Sequence, residues 1–215
     1  MRTQQIEFWS GEFGRNYTDR NTMTYEEWNR EYVSKYGVSR VDMNNEFFEN
    51  LPKNIHILEI GCNTGQQIIA LRQLGFKNVM GIELQFYASK WAQDRNDGIS
   101  VIQSSGFEIP FKTGSFDLVF TSGVLIHIAP DNLPIIMEEM YRCTSRFIWG
   151  FEYYSDSLTE INYRGNTGFL WKGDYASMFM EIFPNLTLTK KMFYPYINDN
   201  ELGNVDCMYL MEKRT

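Results

Sequence analysis

Residues 55–65 read Ile-His-Ile-Leu-Glu-Ile-Gly-Cys-Asn-Thr-Gly: an apolar run ends in a short turn bounded by Gly61 and Gly65. A helical pattern follows from Gln66 to Leu74. A new helix leaves its first N–H groups without partners, so a strand, a tight turn and a helix start present donors to a ligand. Glycine lets such a turn bend sharply and approach the ligand closely. The same residues would also serve an ordinary connection with two convenient glycines. A dinucleotide fingerprint would require glycine where Asn63 stands, and a phosphate loop would require Lys-Ser/Thr where Gln66-Gln67 follow Gly65; both readings are disfavoured. Glu83 closes the next apolar run, roughly 20 residues beyond Gly61, where a carboxylate can accept hydrogen bonds from both hydroxyls of a ribose.

Taken in order, Leu58–Gly65, Gly81-Ile82-Glu83 and Phe116-Asp117-Leu118-Val119-Phe120 resemble the motif series of class I S-adenosylmethionine-dependent methyltransferases. The resemblance implies a seven-stranded sheet with an antiparallel last strand. It also implies S-adenosylmethionine over the first turn, with Glu83 on its ribose and Gly61, Cys62, Asn63, Gly65, Leu84, Ser122 and Gly123 as further cofactor contacts. One departure stands out. Where many members carry an Asp after the third strand, this chain has Gln103-Ser104-Ser105-Gly106, so Ser105 and the backbone of Ser105 and Gly106 are left to read the adenine edge.

A narrower likeness covers nearly the whole chain. Glu7–Gly14, Tyr17, Arg20-Asn21, Gly123–Ile128, Glu152-Tyr153-Tyr154 and Ile161–Gly165 resemble the pseudaminic acid biosynthesis-associated methylase family. This implies an acceptor from a nonulosonic sugar pathway. The opening aromatic arm then reads as a lid. Tyr17, Arg20 and Asn21 become cofactor contacts, Arg20 a partner for the methionine carboxylate, and Trp9 or Phe13 a shield against water.

Methyl transfer from a sulfonium requires nucleophile, methyl and sulfur in line, and removal of a proton where the nucleophile carries one. His127, just past the fourth strand, titrates in the right range for a general base, and equally suits a positioning or packing role. Glu152, at the end of the fifth strand and expected to face the same crevice with Tyr153 and Tyr154, is the second catalytic candidate, as a base or as an acceptor for substrate hydroxyls. Tyr153 and Tyr154 are expected to contact the acceptor, and Arg164 and Lys172 to hold its carboxylate or phosphate, unless they are plain surface charges. His56, inside the first strand, reads as structural. The chain lacks the Asp/Asn-Pro-Pro-aromatic turn of base methylases and its pI is near 5.0, so neither DNA nor RNA is expected as a partner.

The elements that must position these residues alternate strand and helix through residue 151, the pattern of a doubly wound, Rossmann-like α/β sheet. Thr24 and Glu27 form a capping box for a helix over 25–36 that stops at Gly37, and Ser39 can cap another to about residue 50. Residues 1–23 show poor helical periodicity beyond a short turn at 4–9. A single helix is expected over 130–143, an irregular loop over 157–170, and final strands over 186–190 and 207–212, linked by a segment around 194–203. Residues 1–50 are expected to form the lid and 51–215 the cofactor-binding core of one domain. With 43% hydrophobic residues, 22% charged and a net charge of −7, the composition is that of a globular protein. Three scattered cysteines suggest neither a disulfide framework nor a metal site. No signal peptide or membrane span is visible, so the cytoplasm is the expected location. The expected function is methyl transfer to a hydroxyl or amine of a small molecule: an anionic sugar or nucleotide-sugar. The alternatives are a non-catalytic S-adenosylmethionine-binding partner in a glycan pathway, or a methyltransferase of an unrelated metabolite or protein side chain. The sequence says nothing of oligomeric state.

Overall fold

The computed structural model describes residues 1–198 and 202–214. The helices are α1 (Gln4–Ser10), α2 (Glu12–Arg20), α3 (Tyr25–Tyr36), α4 (Arg40–Phe48), α5 (Gln66–Gln73), α6 (Phe86–Arg95), α7 (Leu133–Cys143) and α8 (Tyr175–Ile182). The strands are β1 (His56–Ile60), β2 (Asn78–Glu83), β3 (Ser100–Gln103), β4 (Phe116–Ser122), β5 (Thr144–Tyr153), β6 (Thr159–Glu160), β7 (Trp171–Lys172), β8 (Leu186–Pro195) and β9 (Val205–Lys213).

Seven strands form one sheet in the order β3-β2-β1-β4-β5-β9-β8. The first five run parallel, and β9 lies antiparallel between β5 and β8. Strand order reverses between β1 and β4, so the crevice beyond the carboxyl ends of these strands is where a ligand belongs. Ile60 pairs with both Ile82 and Thr121, so β1, β2 and β4 end together there. Because β9 is antiparallel, its start reaches the same edge, where Asp206 pairs with Tyr153.

Alternation along β1 divides the core. Leu58 and Ile60 pack with Ile82, Val119 and Met137 on one face; Ile57 packs with Ile68, Phe120 and Trp149 on the other. Glu59 shares the face of Ile57 and is buried there, which makes it an unusual place for a carboxylate. On the first face, α7 supplies Leu133, Ile136, Met137 and Met140, a helical stripe that is wholly buried. On the second, α3 begins with the expected box: the Glu27 N–H donates to Thr24 Oγ1 at 3.2 Å, and the Thr24 N–H to Glu27 Oε2 at 2.8 Å. It ends on Gly37 at φ 75°, a left-handed cap that glycine adopts without steric cost.

Several sequence expectations give way. Residues 1–23 contain two helices, α1 and α2. The helix over 130–143 begins as a 3-10 turn at Pro130–Asn132. The 157–170 loop carries β6, which pairs with β7. β8 continues to Pro195, so the linking segment is shorter than expected; its residues 199–201 lie outside those described. His56 is exposed rather than buried, its Nδ1 3.7 Å from Asp117 Oδ2. It opens β1 at the bottom edge of the sheet, away from the crevice.

The opening helices owe their existence to packing more than to local pattern. Phe8 stacks on Phe169 with centroids 3.9 Å apart, and Trp9 meets the edges of Phe13 and Tyr17. The Gln5 side chain donates to the Gly168 carbonyl at 3.1 Å, and Gln85 donates to that of Ser10 at 2.9 Å. Gly14 makes the crossing possible: a Cβ there would overlap the backbone carbonyl of Trp9, which no rotamer change can relieve. Overpacking of this kind typically costs about 1–3 kcal/mol. Gly14→Ala should therefore raise hydrogen exchange over residues 4–20 while the amides of β1–β5 keep their protection. Unaltered exchange in α1 and α2 would show that their contact is not what orders them.

Candidate active site

The turn after β1 is built on alternate left-handed residues: Gly61 at φ 70°, Asn63 at φ 43° and Gly65 at φ 78°. Asparagine is among the few non-glycine residues that tolerate this region. Asn63 thus performs the backbone role that a middle glycine would have had. Gly61 and Cys62 donate their N–H groups to the Ile82 carbonyl at 2.8 and 3.2 Å, which fastens the turn to the end of β2. Behind it, Cys62 packs so close to Gly81 that a Cβ at 81 would collide with its side chain. Glu83 is pre-positioned: Asn63 N–H donates to Oε2 and Gln85 N–H to Oε1, each at 2.8 Å. Burial pushes this carboxyl up, and the backbone N–H groups pull it back.

Above the turn lies a cavity of about 440 Å³. Gly61, Cys62, Asn63, Glu83 and Leu84 line its floor. Ser105 and Gly106 form one side, Ser122 and Gly123 another, and Tyr17 and Asn21 reach in from α2 and its end. Gly65 lies just outside, as the cap of α5. Arg20 is exposed, its guanidinium 5.8 Å from the Phe13 ring, and does not line the cavity.

Glu59 was not anticipated from the sequence, yet it borders the cavity, and its buried Oε2 has no hydrogen-bond partner among the described residues. Burial raises this carboxyl to about 8; Arg40 opposes the rise and Glu83 adds to it. Arg40 is itself fully buried. Its guanidinium donates to Asn44 Oδ1 at 3.1 Å, Tyr32 Oη at 3.2 Å and Ser122 Oγ at 2.9 Å, and lies 4.1 Å from the Phe151 ring centroid. The visible signal for Glu59 was one acid inside an apolar strand. Arg40, at the start of a short helix, gave none.

His127 lines the cavity beside Trp9 and Tyr163, with ring centroids 4.5 and 5.1 Å away. Its Nδ1 is 2.7 Å from the Phe169 carbonyl. A carbonyl only accepts, so Nδ1 carries the proton and Nε2 keeps its lone pair. Burial lowers the imidazole to about 4, so it is neutral at physiological pH.

Glu152 requires a correction: it does not face the crevice. Strand alternation turns Phe151 and Tyr153 to the cavity and Glu152 away from it. Its oxygens accept the N–H groups of Val124 at 3.2 Å and Ile126 at 3.4 Å, which secures the turn carrying His127. Burial raises it to about 7, against the hydrogen bonds it receives. Of the expected acceptor contacts, Tyr153 lines the cavity and the other three do not. Tyr154 donates to Asp156 at 2.6 Å, Arg164 is exposed at φ 50° in a turn, and Lys172 is bonded to Asn204. The cavity's far end is instead walled by Tyr32, Lys35, Tyr36, Tyr153, Tyr196 and Asp206. Aside from Tyr153, none of these was singled out from the sequence.

Residues 58–146 match the family described as "Methyltransferase domain". No curated protein matches the sequence. Solved structures share the fold at low identity. Magnesium protoporphyrin IX methyltransferase from Synechocystis PCC 6803, solved with bound S-adenosylmethionine, is 12% identical with a TM-score of 0.70, and 99% of each chain is covered. A structure described as an S-adenosylmethionine-dependent methyltransferase from Methanosarcina mazei is 15% identical with a TM-score of 0.65, covering 78% of this chain and 96% of that one. A cyclase is 12% identical with a TM-score of 0.62, covering 81% of this chain and 80% of its own. One fold thus carries different chemistries, and the residues in the cavity must decide.

The buried carboxyls give the protein a pH signature. A carboxyl raised in the folded state binds its proton more tightly there, so its contribution is full below the unfolded value and is lost as pH rises through the folded one. Glu152 at about 7 and Glu59 at about 8 spread that loss from the ordinary value of 4.5 up to about 8. His127, lowered from 6.5 to about 4, acts in the opposite sense below pH 6.5, so the net fall is expected from pH 6.5 to about 8. Denaturant stability of the ligand-free protein should fall across that range, and Glu59→Gln should flatten the fall. Parallel pH curves for the two proteins would remove Glu59 as a source.

Proposed function

We propose, starting from the match of residues 58–146 to the methyltransferase domain family, that this enzyme uses S-adenosylmethionine to methylate a hydroxyl or amine of a small sugar or nucleotide-sugar. The observation that carries the cofactor half is Glu83, fixed by two backbone N–H groups at the edge of the left-handed turn. Each of its oxygens keeps a lone pair for a vicinal ribose hydroxyl. The unpartnered Glu59 carboxylate suits the ammonium of the methionine portion, whose arrival would replace the missing partner. Ser105 and Gly106 stand where the adenine edge would lie, and Tyr17 and Asn21 close over the other side. Trp9 keeps water from the centre. When bound, S-adenosylmethionine supplies an electrophilic methyl group on a positively charged sulfur.

For His127 the structure favours orientation over base catalysis. An imidazole lowered to about 4 is a poor proton acceptor. Its Nε2 lone pair can still align an acceptor hydroxyl, and alignment alone is a large part of such catalysis. Glu152 acts through His127 by holding the turn on which it sits, and is a positioning residue. The sugar reading draws support from the aromatic far wall, since tyrosine faces suit the apolar faces of a sugar ring. The narrower likeness to pseudaminic acid methylases adds a nonulosonic acid to the candidates. Its carboxylate would look to Lys35, because Arg164 and Lys172 lie outside the cavity.

Two measurements bear on this reading. Glu83→Ala should weaken S-adenosylmethionine binding at least tenfold by calorimetry, about 1.4 kcal/mol or more; unchanged affinity would sink the ribose assignment. His127→Ala, assayed by labelled methyl transfer to activated nonulosonic acids and other nucleotide-sugars, should lose turnover while keeping cofactor affinity within about threefold, under 1 kcal/mol. Wild-type turnover in that variant would remove His127 from the reaction.

A further inference from the structure

The far end of the cavity contains a carboxylate that the cofactor does not require. Asp206 stands at the start of β9, paired across to Tyr153 and Tyr194. It is 1% exposed and borders the cavity. Its two oxygens are treated unequally. Oδ2 accepts the hydroxyl protons of Tyr36 and of Tyr196, the latter at 3.1 Å. Oδ1 is buried and has no hydrogen-bond partner among the described residues. A carboxylate oxygen out of water and unpaired is costly. No hydrogen bond from the described residues reaches it, although two tyrosines have been recruited to its twin.

The surroundings indicate what would relieve it. Tyr36, Tyr153 and Tyr196 pack edge to face around the acid, with Tyr36–Tyr196 centroids 5.1 Å apart and Tyr153–Tyr196 centroids 6.1 Å apart. Lys35 lies over the Tyr196 ring at 4.7 Å. Tyr32 adds a further ring beside Tyr36 at 5.4 Å and is fixed by the hydrogen bond from Arg40. The wall thus offers rigid apolar faces and, among them, one oriented acceptor atom. This combination takes a compact ligand that presents a ring face to tyrosine and a hydrogen-bond donor to the carboxylate. It does not suit a second anion at the same atom, because like charges at contact repel.

We propose that Asp206, clamped by Tyr36 and Tyr196, is the acceptor-binding residue of the enzyme, and that its Oδ1 receives a hydroxyl or ammonium proton from a sugar-like acceptor. This deepens the reading of a small-molecule methyltransferase and rests on it. Position along the sheet gives the subsite its diagnostic. Asp206 on β9 and Glu83 on β2 border one cavity with three strands between them, so they can be separated by binding alone. The Asn variant is informative because its carbonyl oxygen still serves both tyrosine hydroxyls, while the other position changes from acceptor to donor.

The test uses the full chain saturated with S-adenosylhomocysteine, with tyrosine rings isotopically labelled, titrated separately with methyl glucoside and glucosamine. The glucoside offers hydroxyls and the amine offers an ammonium, so the two arms identify which donor the subsite prefers. At least one probe should move the Tyr36 and Tyr196 resonances of the wild type. Asp206→Asn, with an unchanged melting profile, should weaken that probe at least tenfold and leave S-adenosylmethionine affinity within twofold. Equal probe binding by wild type and variant, or no response of either tyrosine to either probe, overturns the assignment. A protein that fails to bind S-adenosylmethionine at all fails the underlying reading instead, and calorimetry before the titration separates the two results.

Discussion

A guanidinium taken wholly out of water must be answered on every side, and the architecture of this cavity follows from how Arg40 is answered. An ion removed from solvent costs several kcal/mol even after relaxation. Here the charge meets the Asn44, Tyr32 and Ser122 side chains and the face of Phe151. These four contacts come from α4, α3, β4 and β5, so satisfying one side chain joins the two capping helices to the carboxyl edge of the sheet. The same charge lowers both Glu59 and Asp206 against the effect of their burial. One cation therefore opposes the rise that burial imposes on both carboxyls.

Those carboxylates border one cavity from different strands. Glu59 and Glu83 stand on the neighbouring β1 and β2, and Asp206 on β9, beyond β4 and β5. The sheet topology brings them together. β1 and β2 deliver their last residues to the crevice because they are parallel and end in register. β9 delivers its first residues there because it runs the other way. Between β1 and β9 stand β4 and β5, which present His127 and the turn held by Glu152 at the switch in strand order. The opening helices then cover the cofactor end, through an aromatic cluster that only Gly14 allows to close.

How much of this was legible in the sequence depends on the range of the interaction. The capping box of α3, its glycine stop, the glycine turn and the spacing to Glu83 are local, and each appears where the residues indicated. The first 23 residues misled because what orders their helices is Trp9, Phe13 and Tyr17 packing on one another, Phe8 packing on Phe169, and Trp9 and Phe13 on Tyr163, contacts made largely across the chain. Glu152 was placed on the correct strand but on the wrong face, since moving one residue along a strand reverses the side chain. Arg20, Arg164 and Lys172 carry the charge an anion would seek, yet none of them lines the cavity; Arg164 sits in a left-handed turn and Lys172 is bonded to Asn204.

By itself the sequence determined the class of fold, the strand–turn–helix after β1, and the spacing that sets Glu83 beside it. These depend on patterns a few residues long and on one spacing of roughly 20 residues within a βαβ unit. Only the tertiary structure decided which charges are buried. Arg40 finds Ser122, and Asp206 finds Tyr36, across most of the chain. No local pattern signals such meetings, because the cost of an unpaired buried charge arises only once the chain has closed around it.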